Sequence, residues 1–254
     1  MREFFEIITS NAVPWSQRGW GGYIKTIPSK NDIEIVNPNS TLDDAQRDMA
    51  PLISFLEANG VKYVLKTHPS WYDYYQENLM PADKHIGGWS GAVASRLLPS
   101  SVFDNHTRSE LVRKLLTLYE SNLNLWLMLV TPTVFPHTTT SALHPSWKDA
   151  IWSVRINDRW DQFCDLPTPE ASRKHFQNVH QAMEPLRKLA PDMGVSLNEA
   201  DIWEEDYTLA FWGQGNYEKL AAIKAAVDPD NVLSNYAAVG WDCGADRYRC
   251  YPQQ

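Results

Sequence analysis

An α+β fold, with an antiparallel or mixed sheet backed by helices on one face, is what this sequence predicts. Three observations carry that reading. Apolar residues at helical spacing alternate along the chain with runs of period two, the two patterns that mark helices and half-buried strands. Many of the connections read as turns between neighbouring strands rather than as long crossovers. The Gly-rich strand-to-helix turn of a nucleotide-binding sheet is missing: no G-x-G-x-x-G and no phosphate loop occurs. With 254 residues, 43% of them hydrophobic and 12% aromatic, the chain can bury a core for one large domain or two small ones.

The elements follow in order. Residues 1–40 hold Pro14, Gly19, Gly21, Gly22, Pro28 and Pro38 and read as a turn-rich opening around short strands such as 22–27. Thr41 then caps a helix, with Asp44 three residues on, and Leu42, Ala45, Met49, Leu52, Ile53 and Leu56 recur at helical spacing. Asn59-Gly60 stops it, and Pro51 is a candidate kink. Val61, Tyr63 and Leu65 alternate with lysines as in a half-buried strand, and a short aromatic helix follows over 70–79. Thr107 and Glu110 form a capping-box pattern ahead of Leu111, Leu115 and Leu118. Strands are expected over 123–131 and where Ala150, Trp152, Val154 and Ile156 alternate with polar residues. Residues 169–189 place Phe176, Val179, His180, Met183 and Leu186 on one helical face; a strand is expected over 194–200. The last helix, 216–227, turns Tyr217, Leu220, Ala221 and Val227 inward and stops at Asp228-Pro229.

Composition excludes several functions. A formal charge of −8 argues against a nucleic-acid partner, since phosphate binding needs an excess of Lys and Arg. No stretch approaches the roughly 20 apolar residues of a membrane helix, so no membrane partner is expected. The opening MREFFEIITS lacks the charged start and long apolar run of a secretory signal. Cys164, Cys243 and Cys250 are too few for a disulfide scaffold, although Cys243 and Cys250 are close enough to pair in an oxidising compartment. Sequons at Asn39 and Asn105 are compatible with secretion, and the compartment stays open. Seven histidines form no metal pattern; His144, ahead of Pro145, is the one worth following. Gly88-Trp89-Ser90-Gly91-Ala92 misses the nucleophile elbow at its last position, which disfavours a serine hydrolase.

The carboxy-terminal part carries Ala210-Phe211-Trp212-Gly213, Asn216-Tyr217-Glu218-Lys219-Leu220, Ile223-Lys224 and Val227-Asp228-Pro229-Asp230-Asn231-Val232-Leu233. This resembles the terminal motif of berberine-bridge-type, FAD-linked oxidases of the vanillyl-alcohol-oxidase type, over residues 197–240. Upstream, Arg18-Gly19-Trp20-Gly21-Gly22-Tyr23, Asn37-Pro38-Asn39, Ser95-Arg96-Leu97-Leu98-Pro99 and His144-Pro145-Ser146-Trp147 fall in the order of the fungal relatives. The resemblance implies a substrate-binding domain over 1–195, with a berberine-like segment over 196–254 packed on it. It implies a broad sheet whose face roofs a flavin ring, with FAD as cofactor and a secondary metabolite or sugar-like alcohol as substrate. Members of the family carry a flavin-binding domain ahead of this region, and this sequence starts after it. The flavin's phosphates and adenine are therefore expected to be held by a separate flavin-binding chain or a longer parent. Without that half, the exposed face is expected to drive self-association. Two alternatives stand beside this: a redox-independent cyclase or isomerase that kept the pocket, and a non-catalytic truncated fragment.

Candidate site residues come from the same region. The resemblance places Asn235 near the pyrimidine edge of the flavin, a task an amide suits because it both donates and accepts. Glu199 is the candidate base, as a carboxylate in an apolar pocket gains proton affinity. On a strand Asp201 would share its side, and Asn198 would point the opposite way. Tyr207, Trp212 and Tyr217 could line a pocket for a planar substrate, with plain core packing as the alternative.

Overall fold

The structure is a computed structural model and describes residues 1–27, 30–80, 89–130, 132–134, 141–161, 169–242 and 245. Cys164, Cys243 and Cys250, and with them the expected pairing, lie outside the described residues, as does the Gly87-Gly88 pair. Five strands form one sheet in the order β2-β1-β4-β5-β3, and every ladder is antiparallel. The strands are β1 (Gly21–Ile27), β2 (Lys30–Val36), β3 (Trp89–Pro99), β4 (Asn124–Leu129) and β5 (Ala150–Asp161). Helices α1 (Arg2–Gln17), α2 (Leu42–Ala58), α4 (Arg108–Glu120) and α5 (Pro169–Leu189) belong to the core layer. The short α3 (Trp71–Tyr74), α6 (Tyr207–Trp212) and α7 (Gln214–Val227) complete the described helices.

Register assigns each strand residue to a face, because directly paired residues of an antiparallel ladder share one. Ile24, Leu127 and Val154 are mutual partners across three strands, and all are buried. They pack with Phe5, Ile8 and Trp15 of α1, Leu111 and Leu115 of α4 and Met183 and Leu186 of α5. Burying each such side chain is worth about 1.5–3 kcal/mol, so this face holds the sheet to its helices. The opposite face carries Glu34, Tyr23, Lys25, Trp126, Met128, Ser153, Arg155, Asn157 and Ser95. The α+β fold, antiparallel sheet and helical backing are therefore as expected.

Several local expectations are corrected. The opening is not turn-rich before residue 18. Phe4, Phe5, Ile8, Ala12 and Trp15 recur at helical spacing and bury α1, which carries Pro14 near its end. The stretch 61–66 forms no strand: β2 is a sheet edge, and Val64 is 80% exposed. Strand β2 falls within the opening expected to hold short strands, whereas β3 corresponds to no expected strand. Thr41 and Asp44 do form the capping box of α2, which runs on through Pro51. Thr107 precedes α4 without capping it, because its hydroxyl donates to the Ser101 carbonyl at 2.6 Å. The stretch 194–200 is not a strand but a bridge. Leu97 N–H donates to the Gly194 carbonyl and Val195 N–H to the Ala210 carbonyl, after which Leu197–Glu199 forms a 3-10 turn. Helix α7 buries none of its side chains, and Val227, expected inward, is 74% exposed.

Candidate functional site

On the open face of the sheet, Trp126 of β4 is the centre. Tyr23 of β1 lies 5.5 Å from it, ring to ring. Lys25 Nζ sits 4.8 Å and the Arg155 guanidinium 4.9 Å from the indole, at cation–π distance. Register puts them there, since Lys25, Trp126 and Arg155 are consecutive partners across β1, β4 and β5. Towards the β2 edge, the Tyr23 hydroxyl donates to Glu34 Oε2 at 2.6 Å, and the Tyr74 hydroxyl of α3 donates to Glu34 Oε1. Burial and the adjacent Glu34 carboxylate push both phenols well above their ordinary value of 10.0, so both keep their protons.

Towards the β3 edge, Arg155 donates to Glu199 Oε1 at 2.8 Å. Around that pair, Ser95 Oγ, Ser153 Oγ, Asn157 Oδ1, Arg155 Nε and Glu199 Oε2 are buried and make no hydrogen bond among the described residues. Buried polar atoms are ordinarily paired, at a cost of about 1–3 kcal/mol when they are not. Four of them belong to β3 and β5 and the fifth to the turn that brings Glu199 against Arg155. This half of the site was legible only as alternation. Tyr23, Lys25, Glu34, Trp126 and Arg155 each occupy an outward position of a strand, but nothing local says that they meet.

The residues singled out from sequence fall in different places. Glu199 does reach the open face, but through a 3-10 turn and against Arg155, not on a strand in an apolar pocket. Asp201 does not share its direction. Its side chain, 3% exposed, takes hydrogen bonds from Arg187 and from the Trp203 N–H at 2.9 Å, with His180 Nδ1 at 2.7 Å. Next to it Glu204 pairs with Arg96 at 3.0 Å and with Arg187 at 3.5 Å. Asp201 thus belongs to a buried ion network between α5 and β3. Asn198 is exposed. Tyr207, Trp212 and Tyr217 close on one another: Trp212 lies 5.7 Å from Tyr217, and Tyr207 lies 5.3 Å from Trp241. With Val195, Phe211 and Ala237 they form a second, smaller hydrophobic cluster. Asn235 is exposed; its Oδ1 accepts from the Tyr236 N–H at 2.8 Å.

His144 is a clasp between the two clusters. It is buried, with Nδ1 accepting from the Ser146 N–H at 3.1 Å, and it hydrogen-bonds the Leu209 backbone. The Ser146 hydroxyl in turn accepts from the Gly194 N–H at 2.9 Å. Burial first, and then the Arg96 charge, hold the imidazole below its ordinary value of 6.5. The folded state therefore binds this proton less readily than the unfolded chain. The stability it contributes is present above pH 6.5 and is lost as pH falls through the lowered folded value. The urea midpoint should drop between pH 7 and pH 5, and by less in H144N; an equal drop in the variant would exclude His144 as a source.

Among the described residues no helix is long and apolar enough to cross a membrane, and no group of three His, Cys, Asp or Glu side chains could hold a metal ion. Residues 197–240, which carry Glu199, the aromatic cluster and Asn235, match the family described as berberine and berberine like. They are a berberine-like segment. The chain as a whole is similar to fungal FAD-linked oxidoreductases. It is 27% identical over 241 residues, 94% of this chain, to the FAD-linked oxidoreductase OXR2 of Pyricularia oryzae. It is 24% identical over 230 residues to the bifunctional decalin synthase calF of Penicillium decumbens. In fold, the VAO-type flavoprotein MtVAO615 from Myceliophthora thermophila C1 matches 96% of the chain with a TM-score of 0.75 at 21% identity. The chain covers 40% of OXR2, 38% of calF and 46% of MtVAO615, so it spans less than half of each.

Proposed function

We propose that this chain is the substrate-side portion of an FAD-linked oxidoreductase acting on an alcohol-bearing secondary metabolite or sugar-like compound. In this reading residues 1–195 form the substrate-binding part and residues 196–254 the berberine-like segment packed on it. The observation that carries it is the open sheet face, where an indole floor is ringed by phenols, cations and unpaired buried polar atoms. Such a convergence of a few polar groups on an aromatic surface is the usual make-up of a small-molecule site. Glu199 and Arg155 would orient the polar end of the substrate. Asn198 would meet it from the exposed rim, and Asp201 would act at one remove by fixing the turn that carries Glu199. Tyr207, Trp212 and Tyr217 would form the packed wall behind.

The residues present fit one part of the cofactor. Asn235 is exposed, and its Nδ2 makes no hydrogen bond among the described residues, so it is free to donate to a carbonyl on a flavin ring edge. The sequence contains no phosphate-binding glycine turn for the dinucleotide end. When bound, FAD supplies the two-electron acceptor for the hydride of an alcohol carbon. Titrated with free FAD, the 254-residue chain should show no saturable binding tighter than about 10 μM, roughly −7 kcal/mol. Protein purified from its own host should carry flavin absorbance that an alcohol substrate bleaches without oxygen. A ring-forming reading is favoured by one observation, the similarity to a decalin synthase. A preparation without flavin that still cyclises a polyene would establish it in place of the first.

A further inference from the structure

We propose that Asn105 carries an N-linked glycan whose first sugar is seated in the groove between α1 and α4. The inference is independent of the oxidoreductase reading. It gives a role to two features that reading leaves unused, an acceptor triplet and a groove on the helical side of the molecule.

Asn105-His106-Thr107 has the composition of an N-glycan acceptor, a modification that needs a surface loop. Residues 104–107 form such a turn, and Asn105 and His106 are both exposed. The turn is held closed by the Thr107 and Arg108 N–H groups, which donate to the Asp104 carbonyl at 3.0 and 2.8 Å. Asn39-Ser40-Thr41 is a second acceptor triplet with an exposed asparagine, in the turn ahead of α2.

What distinguishes Asn105 is its neighbourhood. Its side chain helps to line a groove of about 400 Å³, with Glu6, Ile7 and Ser10 along one stripe of α1 and Arg108 and Val112 of α4. Clefts that hold small ligands measure roughly 300–1,000 Å³. Ile7 and Val112 offer apolar surface to the C–H face of a pyranose ring. Glu6, Ser10 and Arg108 offer acceptors and donors to its hydroxyls and acetamido group. A sugar bonded to Asn105 starts from the groove wall, so its contact with α1 is intramolecular and needs no separate affinity. Helix α1 begins without a side-chain cap, so its first turns are the ones such a bridge steadies.

In the transfer, Asn105 Nδ2 forms a bond to the anomeric carbon of an oligosaccharide carried on a polyprenyl diphosphate. The bond from that carbon to the diphosphate oxygen breaks, its electron pair leaves with the diphosphate, and Nδ2 gives up one proton. Nothing is oxidised or reduced. In the folded chain the Thr107 hydroxyl is committed to the Ser101 carbonyl at 2.6 Å. The sugar is therefore added before the 104–107 turn closes, and the groove forms around it.

The site is tested on protein purified from its own host. N-glycans are released enzymatically in heavy-oxygen water, and mass spectrometry should find Asn105 converted to a labelled aspartate. An unlabelled Asn105 overturns the proposal, whatever Asn39 carries. The seat is tested by amide hydrogen exchange of α1 in the intact glycoprotein, in glycoprotein trimmed to the first sugar, and in N105Q. The amides of Glu6, Ile7 and Ser10 should exchange about tenfold more slowly in the first two than in N105Q. Equal exchange in all three overturns the seat, and so does protection that vanishes on trimming, which would place the contact on outer sugars. N39Q removes the other acceptor and should leave exchange of α1 unchanged. A loss of protection in N39Q equal to that in N105Q would make the effect a general one of glycosylation and overturn the groove as its cause.

Discussion

Replacing Gly22 by alanine is expected to be among the most damaging single substitutions in this protein. Gly22 sits in β1 with φ +131°, and a Cβ built there would lie 2.1 Å from the Glu34 carbonyl oxygen and 3.1 Å from Ile35 Cα. Both neighbours are backbone of the paired strand, so no side chain can swing aside; the β1–β2 ladder itself must part. Strain at such a φ costs about 1–3 kcal/mol, and forcing extra volume into a closed contact about as much again. A loss of about 2–6 kcal/mol is a large share of the 5–15 kcal/mol that stabilises a typical domain. The melting temperature should fall by about 10 °C. Gly60 supplies the control. Its φ is also positive, at +67°, but nothing lies within 4 Å of its would-be Cβ, so G60A should show the strain alone. Circular dichroism melts of the two variants check this; equal melting points would show that the close approach of Glu34 is not what matters at Gly22. Because the residue after Gly22 is Tyr23 and the clashing carbonyl is that of Glu34, G22A should also release the phenol–carboxylate pair. Its tyrosines would then begin to ionise near pH 10, as ordinary phenols do.

The parts of this molecule that could be read from sequence are those whose signal is local. The capping box at Thr41 and Asp44 is two side chains and two backbone groups within three residues, and it forms as read. The apolar members of the alternation at 150–156, Ala150, Trp152, Val154 and Ile156, are all buried, as are Val179, Met183 and Leu186 of the helical face at 176–186, so the period is enough. The berberine-like segment is an ordered string of short motifs within residues 197–240, a signal that is local in the chain. Where the reading failed, a long-range partner decided the outcome. Helix α1 has the right apolar spacing, but Pro14 and three nearby glycines suggest turns until the sheet and α4 are there to cover Phe5 and Ile8. The alternation at 61–66 is as regular as that of a strand yet has no strand to pair with. Glu199 could be picked out as a carboxylate; its partner Arg155, 44 residues earlier, could not. The face around Trp126 draws Tyr23, Glu34, Tyr74 and Arg155 from four separate elements, and only the strand order brings them together.

Removing Arg96 should be comparably costly, through charge rather than strain. Its side chain, 6% exposed, donates to the Met193 carbonyl and to Glu204, itself 8% exposed. In R96A the Glu204 carboxylate keeps only Arg187 at 3.5 Å, and the Met193 carbonyl loses its donor. Leaving a buried charge without its partner costs about 3–5 kcal/mol, far more than the pair itself contributes over an apolar replacement. The double variant R96M/E204L, which removes both charges and keeps most of the volume, should therefore recover a large part of the loss. An exposed pair behaves differently. Lys188 and Glu184 lie 3.3 Å apart on α5 with side chains 73% and 43% exposed, and K188A should cost about 0–1 kcal/mol. Urea midpoints of the four proteins test the argument, and added salt should narrow the effect of K188A without touching that of R96A, because only exposed pairs are screened. A second consequence follows at His144, whose imidazole the Arg96 charge helps to hold below 6.5. In R96A its titration, followed by proton resonance, should move upward. An unmoved titration together with a loss below about 1 kcal/mol would mean that Arg96 does not tie the 193–204 segment, and with it Glu199, to the edge of the sheet.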